Sequence, residues 1–487
     1  MTDISAQAGR VPGPPETLPL VIDGQWEPGE GEPIAVLDKY RLTPFAWVNA
    51  ASPAQVRRMI DSAHAAFRKG APSAYDRGAI LARAADLVAD RTADFVATMQ
   101  AEAGFTASDA AGEVRRCIET LKLSGEEARR LSGEVIPIEG APGQVGRLAF
   151  TLRVPLGVVV AITPFNSPLN TVAHKIAPAF AAGNAVILKP STNTPATACK
   201  LAEALIDAGM PAGFLSLAHG GGGVAGHLLA DERVRFFAFT GSTEVGRGIQ
   251  QAAGLRRTQM ELGSIAFTIL CDDAGLDRAL PKIVGAAYRK AGQVCTSIQI
   301  LLVSEPIMEA VERRLTAMVG ALKYGDPYDA ETVVGPLISE KEAIRVEGWI
   351  AEAVATGARR LAGGPRQGAV LPPTLLAGVD TTMHVGCREI FGPVMCLVPF
   401  ATFGEAIDRV NATPFGLATG IFTNRLLDAL AAARRLEVGG VHINETSSSR
   451  VDMMPYGGSK DSGFGREGPR YAVQEMTEER IVTISTQ

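Results

Sequence analysis

The sequence predicts an α/β fold, in which a doubly wound, largely parallel sheet is followed by a second α/β domain. Three observations carry this. The 487 residues exceed the size at which one hydrophobic core usually stops growing. From residue 158 onward, short apolar runs rich in β-branched residues (158–163, 185–188, 214–218 and 236–240) alternate with segments of helical spacing (171–182, 194–208, 224–230 and 243–253). The runs are apolar at nearly every position, as strands covered by helices on both faces must be. In such a sheet ligands bind beyond the C-terminal ends of the strands.

Taken in order, residues 1–17 carry Asp3 and several Pro and Gly but no apolar stretch flanked by basic residues, so a loose arm without a secretory signal is expected. Segments 52–68, 74–101 and 107–131 read as long amphipathic helices that pack on the sheet. Residues 133–153, with Gly, Pro and alternating Val, Ile and Leu, read as an extended ribbon protruding as a hairpin. After residue 262 a second series begins: helix 276–291, strand 298–304, helices 306–322 and 340–356, and strand 394–400. The β-branched run 480–486 is an edge that pairing with another subunit would protect. The expected division is a cofactor-binding domain (18–132 and 154–262), a catalytic domain (263–460) and a ribbon (133–153 and 478–487).

Composition narrows the function. Apolar residues at 46% and charged residues at 20% describe a globular chain. The net charge of -5 comes from interspersed basic and acidic residues, so no basic stripe marks a nucleic-acid partner. Apolar windows such as 157–163 and 298–303 are far shorter than the roughly 20 residues of a membrane span. The six cysteines (Cys117, Cys199, Cys271, Cys295, Cys387, Cys396) show no CxxC pair, and no His cluster has metal-ligand spacing. Neither a metal nor a disulfide framework is expected, and a reducing, cytoplasmic setting fits.

Several polar residues sit where this fold places chemistry. Cys295, in Ala291-Gly292-Gln293-Val294-Cys295-Thr296, lies between a predicted helix and a strand. A lone Cys is more often a small buried hydrophobe, so its neighbours decide its meaning. Glu261 ends an apolar run and offers a carboxylate that can serve as a general base. Asn166, in Pro164-Phe165-Asn166, supplies an amide at the end of the first strand, where an oxyanion donor is useful. Thiol, base and amide together are the parts of covalent carbonyl chemistry. Two turns compete for a pyrophosphate. Gly221-Gly222-Gly223-Val224-Ala225-Gly226 matches GxGxxG only formally, in a run of glycines. Phe239-Thr240-Gly241-Ser242-Thr243 is the better candidate, because Ser242 or Thr243 caps a helix whose N-terminus favours anions. Lys189, in Leu188-Lys189-Pro190-Ser191, ends the next strand and could bind an adenosine ribose or its phosphate, the plainer reading being a solvated strand-end Lys.

In combination these stretches, with Glu261-Leu262-Gly263, Gly292-Gln293-Val294-Cys295 and Glu389-Ile390-Phe391-Gly392-Pro393, resemble the aldehyde dehydrogenase superfamily, in the expected order from about residue 20 to the C-terminus. The resemblance implies that family's fold: a Rossmann-type cofactor domain, an α/β catalytic domain and a small β oligomerisation ribbon. It also implies a homodimer or homotetramer. Cys295 would be the nucleophile and Glu261 the base, with Asn166 and the Cys295 N–H forming the oxyanion hole. NAD or NADP would be bound along Thr163, Pro164, Lys189, Ser191, Thr192, Gly222, Gly226, Phe239, Gly241, Ser242, Glu389 and Phe391. Lys189 and Glu389 would take the two riboses, Ser242 the pyrophosphate, and Phe391 the nicotinamide.

Two departures bear on function. After Glu-Leu-Gly the family usually continues with Gly and a Lys or Asn, whereas this chain has Ser264, Ile265 and Ala266. Thr192 stands where NAD-preferring members often carry a Glu that binds the ribose 2′-hydroxyl, so a 2′-phosphate is not repelled and NADP is admitted. The stretch around Arg450 and Pro455-Tyr456-Gly457-Gly458-Ser459-Lys460 is most similar to lactaldehyde- and phosphonoacetaldehyde-type members. A small polar aldehyde, anionic ones included, is therefore the expected substrate, with Arg450 and Arg116 as candidate partners for its tail. The alternatives are a CoA-acylating semialdehyde dehydrogenase, against which Glu261 argues, and a catalytically inactive nucleotide-binding relative.

Overall fold

The computed structural model describes residues 16–485. Five parallel strands form the centre of an eight-stranded sheet, in the order Arg257–Glu261, Val234–Thr240, Val158–Ile162, Ala185–Lys189, Leu215–Leu217. All residues of Val158–Ile162 and Ala185–Lys189 are buried, which is why those runs do not alternate. Leu20–Ile22 and Gln25–Glu27 enter first, at one edge; the parallel strands then start in the middle with Val158–Ile162, wind toward that edge, and return on the other side with Val234–Thr240. The turns leaving Val158–Ile162 and Val234–Thr240 therefore diverge at a switch point and open a crevice there.

A second sheet of seven strands follows, in the order Arg359–Ala362, Thr374–Ala377, Val394–Phe400, Ile298–Ser304, Ala266–Leu270, Ala418–Phe422, Gly440–Ile443. Its neighbours are parallel except at the Arg359–Ala362 edge. Each large sheet has its own hydrophobic core. Residues 461–477, which the expected division leaves unassigned, return to the first sheet. Gly463–Phe464 pairs with Arg257–Glu261, and helix Pro469–Glu475 packs on helix Asn170–Ala181.

In the ribbon, Arg147–Pro155 lies between Val135–Ile136 and Thr477–Ser485 and pairs with the latter over nine residues. Its other segment contains a short helical turn at Ile138–Gly140. Residues 486 and 487 lie outside the described part.

Three expectations about elements need correction. The helix expected over 74–101 is two helices, Ala74–Asp90 and Thr92–Ala103, broken at Arg91. The Thr92 hydroxyl bonds the Ala89 carbonyl at 2.7 Å, a local alternative to the helical ladder, while the apolar periodicity runs on through the break. The helix expected over 276–291 ends at Tyr288, because Lys290 and Ala291 adopt φ values of 52° and 54°. Finally, Glu16 and Thr17, expected in the loose arm, pair as a strand with Pro44–Asn49, and the rest of that arm lies outside the described residues. Among the described residues, no helix is long and apolar enough to cross a membrane.

Candidate active site

A cleft of about 930 Å³ opens at the switch point of the first sheet and is closed on its far side by segments of the second half. Every residue singled out from the sequence lines it. Thr163, Pro164 and Asn166 follow the central strand, and Lys189, Ser191 and Thr192 follow the next one. Gly222 and Gly226 lie on helix Gly222–Ala230, and Phe239, Gly241 and Ser242 end the strand on the other side. Glu261, Cys295, Glu389, Phe391, Arg450 and Arg116 complete the wall.

Cys295 follows a strained turn. Two non-glycine residues in the left-handed region cost of the order of 1 kcal/mol each, and Lys290 offsets this with tertiary bonds. Its Nζ donates to Glu113 Oε1 at 2.7 Å and to the Asn166 carbonyl at 2.9 Å. Gly292 completes the turn because a Cβ there would collide with the Gly392 carbonyl. Glu113 also accepts from Ser167 Oγ at 2.7 Å and Asn170 N–H at 3.1 Å, so one carboxylate joins the thiol loop to the Asn166 turn. Burial opposes its ionisation, but Lys290 and Arg116 win and hold its pKa down at about 2.

The sulfur of Cys295 lies 2.9 Å from Tyr456 Oη. Burial pushes this thiol up to about 11, partly countered by the Tyr456 hydrogen bond. Glu261 is 3% exposed, and neither of its carboxylate oxygens has a hydrogen-bond partner among the described residues. Burial, and next the charge of Glu467, raise its pKa well above the carboxylate range. Its position depends on Gly457, where a Cβ would sit 2.8 Å from Glu261 Oε1. Glu467 behaves oppositely. It bonds Lys175 Nζ at 3.0 Å and Arg450 Nη2 at 2.8 Å, and these cations overcome burial and hold it ionised.

At the other end of the cleft, Ser242 caps helix Thr243–Ala253 by accepting from Val245 N–H. Lys189 Nζ donates only to the adjacent Pro190 carbonyl among the described bonds, and burial lowers its pKa to about 8. Glu389 Oε1 accepts from the Ser264 N–H at 2.9 Å, and burial lifts its pKa to about 7. The departure at Ser264 thus reaches Glu389 through backbone, which any residue supplies. Phe391, at φ 49°, meets Phe165 edge to face.

Both candidate tail arginines reach the cleft with their charge already matched. Arg450 pairs with Glu467, and Arg116 with Asp452 at 2.7 Å. Arg289 differs. It lines the cleft, donates to Ser448 Oγ at 2.9 Å, and makes no ion pair with a described carboxylate. The sequence reading gave no role to Arg289, Ser448, Tyr456 or Glu467. The available signals were a basic pair beside the thiol loop and an acid flanked by glycines in Gly465-Arg466-Glu467-Gly468.

The sequence profile of the aldehyde dehydrogenase family matches residues 26–482. The chain is 44% identical to a 3-sulfolactaldehyde dehydrogenase of Priestia aryabhattai, over 96% of this chain and 98% of that protein. Among solved structures, aldehyde dehydrogenase 21 of Physcomitrella patens, in complex with the reaction product succinate, superposes with a TM-score of 0.94 at 36% identity. That match covers 97% of this chain and 99% of the other. An NADP-dependent glyceraldehyde-3-phosphate dehydrogenase of Bacillus halodurans, complexed with NADP, also gives 0.94, at 33% identity and with 97% and 100% covered.

Proposed function

The chain belongs to the aldehyde dehydrogenase family and is an NAD(P)-dependent aldehyde oxidoreductase, and we propose that it converts a small aldehyde with an anionic tail to the acid through a thioester on Cys295. The observation that carries this reading is the shared cleft of Cys295 and Glu261, the latter a buried carboxyl with both oxygens free of partners.

The wall at the opposite end suits a dinucleotide. Among the described residues, a Cβ at Gly222 or Gly226 would meet no atom within 4 Å, so the start of that helix is bare toward the cleft, and Thr163 Oγ1 is buried without a partner. Lys189, Ser191 and Thr192 would hold the adenosine ribose, Ser242 and its helix the pyrophosphate, Glu389 the second ribose, and Phe391 would lie against the nicotinamide. When bound, NAD(P)+ supplies the hydride acceptor that makes the oxidation possible.

Cys295 loses its proton and attacks the aldehyde carbon. The oxyanion is held by the Asn166 amide and the Cys295 N–H. After oxidation the thioester carbon is attacked by a water whose proton passes to Glu261, the C–S bond breaks, and the acid leaves while Cys295 returns as thiolate; a base of raised pKa accepts that proton readily once ionised. The tail is met by Arg289 with Ser448, backed by Arg450 and Arg116. A half-buried guanidinium with no described carboxylate in ion-pair distance is stabilised by an anion that reaches it, which suits a sulfonate, carboxylate or phosphate. The Thr477–Ser485 edge of the ribbon is the surface through which we propose a homodimer or homotetramer, and a cytoplasmic location fits a nucleophilic thiol.

Cys295→Ala and Glu261→Gln test the reading. The first loses aldehyde oxidation by more than about a thousandfold while still binding cofactor, and the second gives a burst of reduced cofactor and then stalls. Undiminished turnover in Cys295→Ala refutes it.

A further inference from the structure

Tyr456 is fixed beside the sulfur of Cys295 by three contacts. Its backbone exchanges hydrogen bonds with Glu467 in both directions, at 3.1 and 2.7 Å. The Arg450 guanidinium lies 3.8 Å from the centre of its ring, and Glu467 in turn holds that guanidinium at 2.8 Å. Its hydroxyl reaches Cys295 Sγ at 2.9 Å.

We propose that Tyr456 is a catalytic residue whose phenol O–H donates to the ionised sulfur of Cys295 and stabilises the nucleophile. This rests on the reading of Cys295 as that nucleophile. In the resting protein, thiol and phenol share one hydrogen bond in which either can donate. Once the thiol proton has left to water, sulfur can only accept, so the phenol must be the donor. Tyr456 keeps its own proton throughout, and no covalent bond to it forms or breaks.

The surroundings favour this direction of donation. Burial, and next the adjacent Cys295, keep the phenol protonated well above its ordinary range. Arg450 over the ring face is attracted to its electron density and draws on it, which strengthens the O–H as a donor. Glu467 supplies the compensating negative charge, so the arginine can remain buried there. The same bond acts against the upward push that burial exerts on the thiol.

The test compares the full chain with Tyr456→Phe, which keeps the ring and removes the hydroxyl. Iodoacetamide labelling of the Cys295 peptide is followed by mass spectrometry across pH. The pH profile of Tyr456→Phe should move upward, with labelling near neutral pH slowed about tenfold, at an unchanged melting temperature. An identical profile in folded Tyr456→Phe overturns the proposal. Should that variant not fold, a fluorotyrosine at position 456, with a more acidic phenol, should shift the thiolate absorbance titration to lower pH, and an unmoved titration overturns the proposal equally. Cys295→Ala keeps the two ideas apart. If it is inactive while Tyr456→Phe labels like the parent, Tyr456 alone is excluded; if it still oxidises aldehydes, the nucleophile reading itself falls.

Discussion

At the end of the cleft that we propose for the nucleotide, the wall consists of Gly222, Gly226, Gly241 and Ser242, turns and helix beginnings formed by neighbouring stretches of chain. At the sulfur end, Lys175, Glu261, Cys295, Arg450, Tyr456 and Glu467 converge from segments up to about three hundred residues apart, as the Lys175 to Glu467 separation of 292 shows. The first region offers bare backbone to an anion. The second is an assembled electrostatic field, in which two cations keep Glu467 ionised and the charge of Glu467 helps hold the proton on Glu261. One end of the cleft is thus set by local backbone geometry, while the other depends on charge balance between residues far apart in the chain.

That contrast can be broken at several points. Glu467→Gln removes the partner of two buried cations at once, so a loss of about 3–5 kcal/mol in stability is expected, read by denaturant unfolding, together with a fall in the apparent pKa of Glu261. Stability within about 0.5 kcal/mol of the parent would mean that the field is not shared. Arg289→Ala should lower kcat/KM for an anionic aldehyde by about 10–100-fold, the worth of a charge-assisted hydrogen bond, and leave a neutral aldehyde of the same length little changed. Equal losses on both substrates would return the tail to Arg450 and Arg116.

The pH dependence follows from the sign of the Glu261 shift. Because its pKa is raised, the ionised base is lost as pH falls through that raised value, and kcat should drop about tenfold per pH unit below a midpoint well above the carboxylate range. A midpoint at ordinary carboxylate values would detach Glu261 from the field. Smallest of all is Gly226→Ala. The helix gains up to about 1 kcal/mol of propensity, and no described atom opposes the methyl group. The melting temperature should rise slightly while KM for the cofactor rises a few-fold. An unchanged KM would assign the pyrophosphate to the Ser242 turn alone.

The parallel strands were legible because burial on both faces leaves an unbroken apolar run, and Ser242 was legible because a cap acts within one helical turn. The break at Arg91 was not, since Ala74–Asp90 and Thr92–Ala103 keep burying the same kind of apolar face across it. Nor was the end of the helix at Tyr288, because the left-handed Lys290 is stabilised by Glu113, on a helix far earlier in the chain.

Sequence alone determined which strands run through the core, where their C-terminal ends fall, and that Asn166 and Glu261 stand at such ends. All of these are local consequences of burial periodicity and capping. The tertiary structure decided the charge state of the cleft: that Arg450 and Arg116 are matched by Glu467 and Asp452, that Arg289 is not, and that Tyr456 meets Cys295. Ion pairing and desolvation depend on which groups end up within a few ångströms of each other, and for residues this far apart in the chain only the folded packing sets that distance.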